Sequence, residues 1–180
     1  MTTDLMYTVW KNFQSGSKEA FATIYNLYLD SLYHYGIKLC PDKELVKDAI
    51  QEIFLDLYLK REKINTEPEK LKYYLLSALK HNLIKKIQRE KIFSDEEFES
   101  LFLPEYNIEE AIIDNEEARE IKYRVGTALK KLPSKQKEAL YLRYNELIAY
   151  PEIAKIMDIS IESARKQVYR AIKTLRELLS

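Results

Sequence analysis

A chain of 180 residues is long enough for one or two compact domains, and an apolar fraction of 46% excludes a chain too polar to fold. Three glycines and five prolines are too few for the turns of a strand-rich fold, whereas Leu, Ile, Lys, Glu and Ala dominate, so the composition reads as all-α. Net charge is zero but unevenly placed: residues 1–92 carry +3, residues 93–117 carry −10 with no Lys or Arg, and residues 118–180 carry +7, so the balanced total conceals basic surface that can approach phosphate.

The single cysteine, Cys40, excludes an internal disulfide framework and reads as a small buried apolar residue. The opening residues contain no long apolar run and no cleavage-site pattern, and nothing approaches the roughly 18 apolar residues of a membrane span. A soluble, cytoplasmic protein with no membrane insertion is expected.

Helical spacing begins at Phe21, Ile24, Tyr25, Tyr28, Leu32 and Tyr35, and Ile37 and Leu39 carry it past Gly36. Pro41 and Asp42 start a new helix, with proline expected in its first turn and Asp as a cap. Its apolar stripe is Leu45, Ala49, Ile53, Phe54 and Leu57, with Asp48, Gln51, Glu52 and Asp56 largely off the stripe. Lys60 to Lys70 is polar, contains Pro68, and reads as a loop with a helix start near its end. A third helix follows, in which Leu71, Leu75, Leu79, Leu83 and Ile87 recur every four residues and Lys72, Lys80, Lys85, Lys86 and Arg89 decorate the other sides.

Residues 93–117 are acidic, contain Pro104 and carry isolated apolar clusters, which suits a linker with some short helix and a domain boundary inside it. Beyond it the spacing predicts a helix over Glu116–Leu132, ended by Pro133, then a helix over Lys135–Tyr144 capped by Ser134. Two last segments, Tyr150–Met157 and Ile161–Leu179, flank the turn Met157-Asp158-Ile159-Ser160.

These last segments read as a helix-turn-helix. Ile153, Ala154 and Ile156 supply the first helix's contacts, and small Ala154 permits a close crossing. The turn is expected to bury Ile159, to need a positive φ that Asp158 tolerates, and to place Ser160 as the second helix's cap. Ile161, Ala164, Val168, Ile172 and Leu175 form the second helix's buried stripe, leaving Glu162, Ser163, Arg165, Lys166, Tyr169, Arg170 and Lys173 outward. Such a helix fits the major groove, with polar and basic side chains reaching base edges and phosphates. An ordinary helical hairpin with a solvated basic face is the alternative reading of the pattern.

The run Leu132–Leu178 resembles region 4 of bacterial sigma factors, most of all the extracytoplasmic-function (ECF) branch of the sigma-70 family. The resemblance rests on Leu132-Pro133, Gln136, Arg143-Tyr144, Tyr150-Pro151-Glu152-Ile153-Ala154 and the helix that begins at Ser160. In the N-terminal half, Lys47-Asp48-Ala49-Ile50-Gln51-Glu52-Ile53-Phe54-Leu55 resembles region 2.2. Leu71-Lys72-Tyr73-Tyr74-Leu75-Leu76 with Lys80 and Asn82 resembles regions 2.3 and 2.4.

The resemblance implies two small helical domains, 1–92 and 118–180, on an acidic linker, 93–117. It implies a transcription initiation factor that directs core RNA polymerase to promoters. Asp48, Gln51, Glu52 and Asp56 would meet the β′ clamp helices, and the C-terminal domain the β flap. Asn65, Tyr73, Tyr74, Lys80, Asn82, Lys85, Lys86 and Arg89 would serve the −10 element, the cations holding phosphates and the aromatic or polar groups catching exposed bases. His81 stands with the polar groups of that helix and Thr66 with Asn65 in the loop before it, and core is the more common fate of an aromatic placed like Tyr73 or Tyr74. Glu162, Ser163, Arg165, Lys166, Tyr169, Arg170 and Lys173 would read the −35 element. An anti-sigma protein is the implied inhibitor.

No enzymatic role is expected. The two histidines, His34 and His81, belong to no metal-ligand cluster, and no Gly-rich phosphate loop is present, so neither metal nor cofactor is implied. A stand-alone helix-turn-helix regulator binding duplex DNA as a dimer is the runner-up. A helical adaptor for other proteins would leave the +7 C-terminal block unexplained.

Overall fold

The computed structural model describes residues 3–90, 102 and 116–180. Among these every regular element is helical, and the chain divides into two compact units, Met1–Ser94 and Asp95–Ser180. The acidic linker expected over 93–117 lies outside the described residues, save for Phe102 and the first residues of the helix that begins at Glu116.

The first unit holds α1 (Thr3–Gln14), α2 (Lys18–Leu39), α3 (Lys43–Leu59), a short 3₁₀ turn (Pro68–Lys70) and α4 (Leu71–Glu90). Helix α1 was not foreseen; it buries Met6, Trp10 and Phe13 at helical spacing. Gly16, at φ +96°, turns the chain into Ser17, whose hydroxyl accepts the Ala20 N–H at 3.1 Å and caps α2. Asp42 caps α3, accepting from the N–H groups of Glu44 (3.0 Å) and Leu45 (3.1 Å). Pro41 therefore stands before the cap rather than inside the first turn, because the carboxylate beside it satisfies the free N–H groups better.

Helices α2, α3 and α4 pack mutually, and α1 lies against α2 and the 3₁₀ turn. Leu71, Leu75, Leu79, Leu83 and Ile87 are all fully buried, each contributing about 1.5–3 kcal/mol. Gly36 lets α2 approach α3: a Cβ there would lie 2.5 Å from Val46 Cγ1. That is why the glycine sits within an unbroken helix.

The second unit holds α5 (Glu116–Lys130), α6 (Ser134–Tyr144), α7 (Tyr150–Ile156) and α8 (Ile161–Leu179). Helix α8 packs on all three others. Leu129, Leu132 and Ala171 form a buried centre with Val125, Leu140 and Leu175 packed against it. Phe102 is buried with its ring 5.8 Å from that of Tyr141, whose hydroxyl donates to Glu146 Oε1 at 2.6 Å.

Three local expectations are corrected. Ser134 is the first residue of α6, and Pro133 occupies the cap position, its carbonyl accepting from the N–H groups of Gln136 and Lys137. Ile159 is half-buried rather than buried. Ile161 is 44% exposed, since it starts α8 at the helix end, before the packed stretch that begins at Ala164. No helix among the described residues is long and apolar enough to cross a membrane.

Candidate nucleic-acid interface

Helix α3 buries Leu45, Val46, Ala49, Ile50, Ile53, Phe54 and Leu57. The 3.6-residue repeat then leaves Asp48, Gln51, Glu52 and Asp56 exposed on the opposite side, together with Leu55 and Leu59, which are more than half exposed. Asp56 is paired with Lys60 one turn on, at 2.6 Å.

Glu52 reaches across to α4. Its Oε1 accepts from Lys86 Nζ at 2.7 Å and its Oε2 from Asn82 Nδ2 at 3.0 Å. The hydrogen bond from Lys86, then that from Asn82, holds the Glu52 carboxyl below its usual range. Between the helices lies a groove of about 440 Å³, lined in part by Glu52, Asp56, Tyr74, His81, Asn82 and Lys85. Asn82 Oδ1 is buried and accepts no hydrogen bond among the described residues, so it would reach an incoming donor only if the side chain turned out of this position.

The structure thus gathers Tyr74, Asn82 and Lys85 around Glu52. It does not bring Asn65, Tyr73, Lys80 or Arg89 into the groove lining. Tyr73, Tyr74, Lys80 and Lys86 are half-buried, while Asn65, Lys85 and Arg89 are exposed. Neither tyrosine is part of the fully buried core.

The loop before α4 is fixed by groups that sequence reasoning passed over. Gln14 Nε2, at the end of α1, donates to the Ile64 carbonyl at 3.2 Å. Arg61 lies over the Tyr58 ring, 4.8 Å from its centroid, and donates to the Tyr58 carbonyl at 3.0 Å. Asn65 and Thr66 follow this anchored point directly. The Gln14 tie crosses fifty residues of sequence, the Arg61 tie only three, and neither belongs to the apolar repeat that marks the helices.

In the second unit, Asp158 takes φ +53° in the turn, and Ser160 caps α8 by accepting the Ser163 N–H at 3.1 Å. Ala164, Val168 and Ala171 are buried. Glu162, Arg165, Lys166, Tyr169, Arg170 and Lys173 are exposed, and Ser163 is half-buried, its hydroxyl accepting from Ser160 Oγ at 2.9 Å. Glu162 and Lys166 pair at 2.7 Å. The outward face is basic over several turns, and its exposed ion pairs, Glu162–Lys166 and Lys173–Glu177, are weak enough to give way to phosphate at little cost.

Comparisons with known proteins agree with this division. The family profile for sigma-70 region 2 matches residues 24–92, and that for sigma-70 region 4 matches residues 122–175. The ECF RNA polymerase sigma factor SigM of Bacillus subtilis (strain 168) is 27% identical over 158 residues, covering 86% of this chain and 92% of the relative. SigW of the same organism, also an ECF RNA polymerase sigma factor, is 22% identical over 176 residues, covering 94% of each. Among solved structures, CnrH in complex with the cytosolic domain of CnrY superposes with a TM-score of 0.60 at 17% identity, covering 96% of both chains. The sigma factor RpoE in complex with the anti-sigma factor NepR, from Bartonella quintana, gives 0.59 at 23% identity, covering 88% of this chain and 96% of the other. With both region profiles matched in order over more than half of its length, and with ECF relatives spanning most of the chain, the protein belongs to the ECF branch of the sigma-70 family and is a transcription initiation factor, not an enzyme.

Proposed function

We propose that the protein selects promoters for RNA polymerase through three faces on two domains, 1–92 and 118–180, joined by the acidic linker 93–117. Asp48, Gln51, Glu52 and Asp56 on α3 dock on the β′ clamp helices, with complementary charge orienting the encounter. Helix α4 and the loop before it hold the −10 element and stabilise the opened strand, through Lys80, Lys85, Lys86 and Arg89 on phosphate and Asn65, Tyr73, Tyr74 and Asn82 on bases. Helix α8 reads the −35 element in the major groove, while the second unit also meets the β flap.

The observation that carries this reading is the segregation of exposed charge within the matched regions. An acidic face on α3 is followed by basic side chains on α4, and a separate basic face lies on α8. An anti-sigma protein as inhibitor and a cytoplasmic location belong to the same proposal. The RpoE structure, in complex with the anti-sigma factor NepR, supports the first.

Reconstituted transcription tests it. The protein is added to sigma-free core polymerase on a pooled genomic promoter library, and specific run-off products are expected. Duplex DNA binding without core binding would replace this reading with that of a stand-alone regulator.

A further inference from the structure

Three helices of the second unit meet at one aromatic ring. Tyr150, the first residue of α7, is half-buried. The Arg143 guanidinium of α6 lies over the ring, 4.9 Å from its centroid, and that of Arg165 from α8 lies over it at 5.7 Å. Both distances fall within the roughly 6 Å reach of a cation–π attraction. Arg143 also donates from Nη1 to the Ile148 carbonyl at 3.1 Å, tying the α6–α7 turn to the same cluster.

Arg165 stands two residues beyond Ser163, whose N–H Ser160 caps, and so belongs to the part of a recognition helix that meets base edges. A free arginine samples many rotamers, and fixing it at a base edge costs conformational entropy. A ring already holding the guanidinium removes part of that cost and narrows its direction. Arg143 lies over the same ring but is bound to backbone, so it fastens the ring's helix rather than competing for DNA.

We infer that Tyr150 is a positioning residue for base readout, acting through Arg165: its ring aims that guanidinium, and so sharpens the preference for the base pair that Arg165 contacts. The inference rests on the proposed role of α8 in reading the −35 element. The working group is the ring face and not the hydroxyl, which separates Tyr150→Phe from every variant that removes the ring.

The test uses the full chain assembled with core polymerase. The probes are duplexes recovered by that holoenzyme from a random-sequence pool, and single base-pair substitutions of them. Arg165→Ala identifies the base pairs at which preference depends on Arg165. Tyr150→Phe is expected to keep the wild-type preference. Tyr150→Leu is expected to lower it by about two- to fivefold at those same base pairs and nowhere else. Adding Tyr150→Leu to Arg165→Ala should cause no further loss. Tyr150→Met stands in should the leucine variant fail to melt cooperatively.

A ring-removing variant with wild-type preference overturns the inference, as does one that weakens all duplexes equally, since the latter marks a purely structural role. A uniform loss in Tyr150→Phe also overturns it, by making the hydroxyl a phosphate contact. If Arg165→Ala changes no preference at all, the underlying reading of Arg165 fails first, and the inference with it.

Discussion

Lys86 Nζ donates to Glu52 Oε1 at 2.7 Å, so a side chain proposed for promoter phosphate is held by one proposed for polymerase docking. The Lys86 side chain is 20% exposed and that of Glu52 55%, so solvent screens the pair from one side. Asn82 Nδ2 occupies the other Glu52 oxygen. Anything that engages the Glu52 carboxylate from α3 alters what Lys86 and Asn82 can offer from α4.

The pair gives stability a defined pH dependence. Folding lowers the Glu52 pKa from its ordinary 4.5, chiefly through the Lys86 hydrogen bond. A depressed carboxylate stabilises the fold fully above its unfolded value, and that contribution is lost as pH falls through the folded value. Glu52→Gln is therefore expected to cost less than about 1 kcal/mol at neutral pH, discounted for exposure. Thermal melts of the two proteins should converge below pH 4.5. A gap that persists unchanged into strong acid would show that the ion pair contributes nothing.

Exposed cations on α4 should behave differently from Lys86. Lys85 and Arg89 are both exposed. If each meets one phosphate of the opened strand, Lys85→Ala and Arg89→Ala should each reduce the slope of log affinity against log salt by about 0.7. Titrating holoenzyme with a single-stranded non-template oligonucleotide at several salt concentrations measures this. Unchanged slopes in both variants would remove Lys85 and Arg89 from the phosphate contacts.

Gly36 tests the α2–α3 crossing. Its Cβ would lie 2.5 Å from Val46 Cγ1, and Val46 is fully buried. Gly36→Ala should destabilise the protein by about 1–3 kcal/mol through overpacking, despite alanine's better helix propensity. Urea denaturation should show the loss, and Val46→Ala added to it should recover part of it by removing the clashing methyls.

Much of this architecture was legible because burial imposes a period. Leu71, Leu75, Leu79, Leu83 and Ile87 announce α4 through four-residue spacing, and the stripe of α3 follows the same logic; of the stripe expected on α8, Ala164 and Val168 are buried while Ile172 and Leu175 are only half-buried. Helix α1 was passed over because its buried anchors Met6, Trp10 and Phe13 stand among further apolar residues, Leu5, Tyr7 and Val9, that lie outside the buried core and blur the spacing, and their partners lie in other elements. Ile161 fits the stripe of α8 by spacing, but burial at a helix end depends on where the packed neighbour begins. The candidate DNA residues were found by type and resemblance. What organises them was not, because Glu52 with Lys86 and Tyr150 with Arg165 are pairs across helices, which no local pattern encodes.

The cap of α8 should matter to both stability and binding. Ser160 accepts the Ser163 N–H, and Ser160→Ala leaves that donor to water. A loss of about 1 kcal/mol is expected, with Ser160→Gly costing only a few tenths. Denaturant melts measure this, and equal melting of the alanine variant and the wild type would deny the cap its role.

Backbone strain between α6 and α7 supplies the last prediction. Leu147 holds φ +58°, a conformation disfavoured for a side chain with a Cβ, and it is 79% exposed. Little burial is therefore lost on its removal, and Leu147→Gly should stabilise the second unit by up to about 1 kcal/mol, offset in part by the greater freedom of glycine when unfolded. Leu147→Val, whose branched side chain fits this region worse, should destabilise it. If glycine instead weakens the unit in a chemical denaturation series, the Leu147 side chain makes a contribution larger than its exposure indicates, and the turn is held by the leucine rather than in spite of it.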